Sequence, residues 1–190
     1  MAIAKGLLTL DGARAAGRSK DQVYAQVATG ALERIGRGIY IDPEVIDPTL
    51  ASLAGATARQ TRATMCLTSA LVLHALSDAI PLTTDIALPR GTRHPAGFEH
   101  VAWHSFDAAT FDIGRVSFET VGGVEVFAYS PERTIIDCFR LAHREGSDQA
   151  NLALRRWLRD KHGVPSVLLE TAHSFPRTAT RIREALEVLL

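Results

Sequence analysis

Six side chains near the N-terminus combine types and spacing suited to nucleic acid: Ser19, Lys20, Gln22 and Gln26 in one helical stretch, and Arg34 and Arg37 around a glycine-punctuated turn. A glutamine amide can read adenine with two hydrogen bonds, and a lysine can reach guanine or a phosphate. The glycines beside Arg37 let the backbone come close to a phosphate or a narrow minor groove. Asp21 lies among these side chains and repels phosphate unless it accepts from a cytosine amine. Each group also has a plainer use: lysine and glutamine are good formers of a solvated helix face, and a charged hairpin protects a sheet edge.

Other polar residues are weaker candidates. Arg133 and Asp137 are four apart, the spacing of a pair along a helix surface worth a few tenths of a kcal/mol; the alternative is that Arg133 projects into a pocket. His74 stands on an otherwise apolar helix, which favours a hydrogen-bonded core histidine over a base or ligand. His94, His100 and His104 do not put two ligands on one helix face, and no carboxylate completes a zinc set. Cys66 and Cys138 are too far apart for a metal knuckle and read as small buried residues. Arg155, Arg156, Arg159 and Lys161 give one helix a basic face, suited to solvent, an acidic partner or a second DNA contact. No phosphate-cradling loop, His-Glu-x-x-His or Gly-x-Ser-x-Gly occurs, and the three lysines include none after a strand-borne acid. No catalytic residue, metal or cofactor is therefore expected.

The elements that must position the first group are legible in order. Leu7 to Ala16 reads as a helix stopped by Gly17. Ser19 then precedes Lys20-Asp21-Gln22 in the pattern of a capping box. Val23 and Val27 share one face of the second helix, and Gly30 ends it. Leu32, Ile39 and Tyr40 flank the Gly36-Arg37-Gly38 turn. Helix, turn, helix and basic hairpin predict a winged helix-turn-helix over residues 1–43, with the second helix suited to a major groove.

A small-residue connector helix follows within 44–60, begun at Pro48. Residues 61–190 read as a second, α+β domain. Thr68-Ser69 is expected to cap an apolar helix from Ala70 to Leu76. Asp85–Pro89 and Val101–His104 read as strands, and Val116–Thr120 and Val124–Ala128 as a hairpin about Gly122-Gly123. Ser130 caps a helix with Pro131 in its first position and Glu132 in its first turn. Helices over Asp148–Lys161, Pro165–Ser174 and Pro176–Leu190 complete the chain, the last with Ile182, Leu186 and Leu189 in one stripe. The expected class is α+β: a winged helix-turn-helix, then a small mostly antiparallel sheet with flanking helices.

The 190 residues are 46% apolar, enough for two small cores. Acidic and basic residues balance at 21 each, weak for a dedicated nucleic-acid binder, yet residues 1–42 hold six basic against four acidic side chains. An excess of that size predicts useful DNA affinity only when two copies bind together. No apolar run approaches about 20 residues and no signal-peptide pattern opens the chain, so a soluble cytoplasmic protein without membrane contact is expected.

Four blocks resemble the AbiEi antitoxin family of abortive-infection systems, in that family's order across roughly residues 7–160. They are Arg34–Tyr40, Ser69–Leu76, Ile86–Arg90 and above all Val126–Asp137. Thr68 stands where the family commonly has a histidine. The resemblance implies a type IV antitoxin that represses its own operon at inverted repeats, as a homodimer on that DNA, and counters a cognate nucleotidyltransferase-like toxin directly or functionally. It also makes His74, Arg90, Arg133 and Asp137 candidates for a toxin-facing surface or functional pocket. The alternative expectation is an enzyme-type antitoxin that phosphorylates the toxin, with Asp137 or His104 near the reaction.

Overall fold

Thr9, rather than Leu7, starts the first helix. Its hydroxyl accepts from the Gly12 amide at 3.0 Å, which sets α1 at Leu10–Ala15. Leu7–Thr9 is a strand, β1, pairing antiparallel with β3 (Ile39–Ile41), Leu8 opposite Tyr40. The helix expected over Leu7–Ala16 is thus shorter, because the two leucines gain a sheet partner and a threonine cap lies just beyond them. This computed structural model describes residues 6–120, 122–159 and 163–189; Lys5 and Lys161 lie outside them.

The second helix, α2 (Lys20–Ala28), starts from the expected capping box and ends at Gly30, whose φ of +78° suits glycine. A hairpin follows, β2 (Glu33–Gly36) against β3, turning at Arg37 and Gly38 (φ +71°). Ile35 is the extra residue of a bulge between the Arg34–Tyr40 and Gly36–Ile39 pairs. The small sheet has the order β1-β3-β2 and is antiparallel throughout.

Asp47 caps α3 (Pro48–Arg59), accepting from the Thr49 amide at 2.8 Å and hydroxyl at 2.7 Å. The helix expected as a connector is a core element: Ala51, Leu53, Ala54 and Ala56 are buried in one cluster with Ile39, Ile41, Met65, Ile86, Leu88 and Val126. Its small residues permit this close packing. A Cβ on Gly55 would lie 2.5 Å from the Ile35 side chain. One core therefore runs across the divisions drawn at residues 43/44 and 60/61.

The larger sheet contains β4 (Thr64–Met65), β5 (Thr84–Pro89), β6 (Val101–Phe106), β7 (Arg115–Glu119) and β8 (Glu125–Tyr129), in the order β6-β5-β4-β8-β7. β5/β6 and β4/β8 are parallel, and β4/β5 and β7/β8 antiparallel, so this sheet is mixed rather than mostly antiparallel. The buried run Ile86-Ala87-Leu88 fits a strand covered on both faces. Between β4 and β5, α4 spans Leu67–Leu73 and not Ala70–Leu76. It carries no side-chain cap, because the Ser69 hydroxyl expected at its start turns to Asp85 instead.

Beyond the β7–β8 hairpin, Ser130 accepts from the Arg133 amide and begins α5 (Pro131–Arg140) as expected. A helical layer of α6 (Ala142–Glu145), α7 (Ser147–Arg159), α8 (Pro165–Ala172) and α9 (Pro176–Leu189) closes over it. Its core joins Ile135, Ile136, Leu154, Trp157, Ile182 and Leu186 to buried Cys66 and Cys138, with Leu189 partly buried against it. The architecture is α+β, with an antiparallel and a mixed sheet. Among the described residues, no helix is long and apolar enough to cross a membrane.

Candidate functional site

A collection of exposed polar groups lies on α2 and the β2–β3 hairpin. Val23 is wholly buried and sits in a small core with Leu8, Ala13, Leu32 and Tyr40, Val27 packed partly against it. That anchoring turns Lys20, Asp21, Gln22 and Tyr24 to solvent and leaves Gln26 half-buried. The Lys20 ammonium stands 5.1 Å from the centre of the Tyr24 ring, one turn on.

Ser19 and Gln22 are already occupied. The Ser19 hydroxyl accepts from the Gln22 amide at 3.2 Å, and Gln22 Oε1 accepts from the Ser19 amide at 2.8 Å. Both hold the helix start first, and only the remaining amide group of Gln22 faces outward. Ser19→Ala is expected to lower the unfolding free energy by about 1 kcal/mol through the lost cap. Ser19→Asp keeps the cap, so denaturant unfolding should show nearly unchanged stability, while the added charge weakens any phosphate contact nearby.

The hairpin packs on the same small core through Tyr40. Arg34 is directly opposite Tyr40 in the β2–β3 register. Burial raises the Tyr40 phenol above its ordinary pKa, with the neighbouring Tyr24 hydroxyl adding to the shift and Arg34 opposing it. Tyr40 is itself buried, in the small core that holds Val23 of α2, and stands opposite Arg34 in the hairpin register. Arg34 is exposed and its Nε donates to the Gly36 carbonyl at 3.3 Å. Arg37 is exposed at the turn.

The hairpin is fixed to the rest of the molecule. Arg59, in the last turn of α3, donates through Nη2 to the Arg37 carbonyl at 2.9 Å. Phe98, from the segment between β5 and β6, lies against Gly36, where an added Cβ would come within 3.1 Å of its ring. Gly97 (φ +84°) likewise leaves no room for a Cβ beside Arg37. Tyr24, Arg59 and the β5–β6 segment were missed in the sequence. Only Tyr24 had a local signal, its four-residue spacing from Lys20.

The remaining candidates do not gather here. Arg133 and Asp137 are completely buried and pair at 3.0 Å, so neither projects to a surface or pocket and neither can reach a toxin. The pair expected along the helix surface lies in the core instead, because Tyr129, Phe175 and the carbonyls of Thr110 and Ile113 receive the guanidinium. His74 is partly buried, and its Nε2 hydrogen donates to the Tyr129 carbonyl at 2.7 Å. Arg90 is exposed just after β5. On α7, Arg155 and Arg159 are exposed while Arg156 pairs with Asp78.

A partly buried polar chain crosses from α4 to β6. Asp85 links Ser69 to His104: Oδ2 accepts from the Ser69 hydroxyl at 3.3 Å and Oδ1 takes the His104 Nε2 hydrogen at 2.9 Å. The Ser69 hydroxyl also accepts from the Asp85 amide at 2.8 Å. A triad for nucleophilic attack needs the imidazole between serine and carboxylate. Here the carboxylate is in the middle, so the chain ties α4 to β5 and β6. Ser69 borders a cleft of about 560 Å³, largely apolar and lined also by Leu50, Met65, Leu73 and Ile80. Among the described residues, no three histidine, cysteine or acidic side chains gather to hold a metal ion.

No protein-family model matches the chain, and no curated protein sequence does either. Among solved structures it is similar to the crystal structure of the RV2827C protein from Mycobacterium tuberculosis, with a TM-score of 0.64 over 96% of this chain and 71% of that one, at 17% sequence identity. A likeness at that identity concerns the fold alone.

Proposed function

We propose that the chain is a DNA-binding autorepressor and the antitoxin of a type IV toxin–antitoxin pair. In this reading α1, α2 and the β2–β3 hairpin act as a winged helix-turn-helix. Lys20, Tyr24 and Gln26 of α2 address the major groove, and Arg34 and Arg37 address phosphates beside it. The observation that supports the reading is that Val23 and Tyr40 anchor α2 and the hairpin in one small core while Lys20, Tyr24, Arg34 and Arg37 stay exposed. Reading a groove together with its flanking phosphates requires the two elements to be held against each other, as that core holds them. Toxin neutralisation rests on the four AbiEi-like sequence blocks, and the operon's inverted repeats would be filled by two copies.

Both halves are tested by separate measurements. Binding to the DNA upstream of the chain's own reading frame should be tighter than binding to random duplex by about 10³ or more at physiological salt. A footprint over inverted repeats is the expected pattern, and equal affinity for both DNAs removes the operator role. The reading requires a nucleotidyltransferase-like toxin encoded beside the chain's own reading frame, and co-expression with it should restore growth. Failure to restore it removes the antitoxin role.

A further inference from the structure

Beside the wing tip is a cleft of about 370 Å³, lined by Arg37, Arg59, Gln60, Arg93, His94 and the chain at Pro95-Ala96. None of these lining residues carries a carboxylate. Its cations come from three places that are distant in sequence: the hairpin turn, the end of α3 and the β5–β6 segment. Two of the lining side chains are held in position. Arg59 is fixed by its bond to the Arg37 carbonyl. The His94 ring stacks on Trp103, with centroids 5.7 Å apart, and its Nε2 meets the Ser105 hydroxyl at 3.1 Å. Gly97 and Phe98 press the same segment against the hairpin.

Three guanidinium groups always carry charge, and in this cleft no lining acid balances them. An anion relieves that repulsion, and guanidinium forks match phosphate oxygens two at a time. We propose that the cleft is a second phosphate-backbone site for DNA, extending the contact from the wing onto Arg59, Arg93 and His94. The inference rests on the DNA-binding reading above. DNA is the occupant because the cleft is continuous with Arg37 at the wing tip, where a backbone held by the hairpin would run next.

The test is the salt dependence of binding by the full chain to the duplex it shifts most tightly. Each phosphate contact contributes about −0.9 to the slope of log K against log salt concentration. Arg93→Ala should reduce the magnitude of that slope by about 0.9. Arg93→Lys should preserve it, because the slope counts charges. Arg183→Ala, which removes an exposed arginine of α9 away from the cleft, should leave it unchanged. An unchanged slope in Arg93→Ala, with Arg34→Ala still weakening binding, overturns the cleft and leaves the wing standing. Protection of the wild type from thermal unfolding by inorganic phosphate, with no change in that slope, also overturns it, since the site would then take a free anion. A wild-type chain that binds no duplex at all is a failure of the DNA-binding reading itself, and the cleft falls with it.

Discussion

Arg133→Ala is expected to lower the unfolding free energy by about 3–5 kcal/mol, the usual cost of removing one partner from a buried ion pair. Arg133 and Asp137 are both 0% exposed. The guanidinium does more than neutralise: Nη1 donates to the Thr110 and Ile113 carbonyls, both at 2.6 Å, and the group lies 4.4 Å from the Tyr129 ring and 4.6 Å from that of Phe175. One side chain thereby ties α5 to the segment before β7 and to the α8–α9 turn. Truncation removes the guanidinium donor from both carbonyls, leaving that of Thr110 with only the Ile113 amide at 3.3 Å, and leaves Asp137 facing only Arg140, whose Nε is 3.1 Å away. For a chain of this size the loss corresponds to a fall in melting temperature of about 6–20 °C. The same pair on a helix surface would contribute about 0.3–0.5 kcal/mol, so a thermal or urea unfolding curve separates the two placements cleanly. A loss below about 1 kcal/mol would mean that the guanidinium is not buried as described.

The same variant has a pH signature. Burial already raises the Asp137 carboxyl above its ordinary range, against the opposing pull of Arg133 and then Arg140. Removing Arg133 takes away the larger of those opposing charges and raises it further. Between the unfolded value of about 3.9 and the raised folded one, the folded chain binds more protons than the unfolded chain. Stability of the variant therefore falls as pH rises through that window, the reverse of an ordinary ion-paired carboxylate, and unfolding curves at a series of pH values would show it.

What could be read from the sequence follows the range of the interactions involved. The Ser19–Gln22 capping box, the Ser130-Pro131 helix start, the glycine hairpin between β7 and β8 and the Gly36-Arg37-Gly38 turn all act over three or four residues, and all four are present. Leu7-Leu8 reads equally well as helix or strand, and Tyr40 and Ile41 decide between them from the far side of the hairpin. The parallel pairing of β5 with β6 is set by packing on α3, which local alternation does not encode. Arg133 shows the same limit more sharply. Its spacing from Asp137 was visible, but the aromatic rings that take it inside come from β8 and the α8–α9 turn. The cleft cations converge only when the hairpin docks against the β5–β6 segment, so no stretch of sequence contains them together.

The wing gives the second large effect. Arg34→Ala with Arg37→Ala should abolish operator shifts near physiological salt while leaving protection against the toxin largely intact. Residues 1–42 carry an excess of only two positive charges, and Lys5 is one of the six basic side chains counted. A surface that supplies few phosphate contacts loses a large share of its binding when two are removed, and the salt slope should shrink by about 1.8. Both side chains are exposed; Arg59 fixes the turn through the Arg37 carbonyl, and the one bond lost is that from Arg34 Nε to the Gly36 carbonyl at 3.3 Å. The double variant should therefore melt within about 0.5 kcal/mol of wild type, as surface substitutions usually do. That separation makes the result decisive. Lost shifts with retained stability and retained protection assign repression to the wing and neutralisation to the rest of the fold. Loss of protection as well would mean that toxin and DNA are met by one surface, and the division of labour between the two parts of the chain would have to be abandoned.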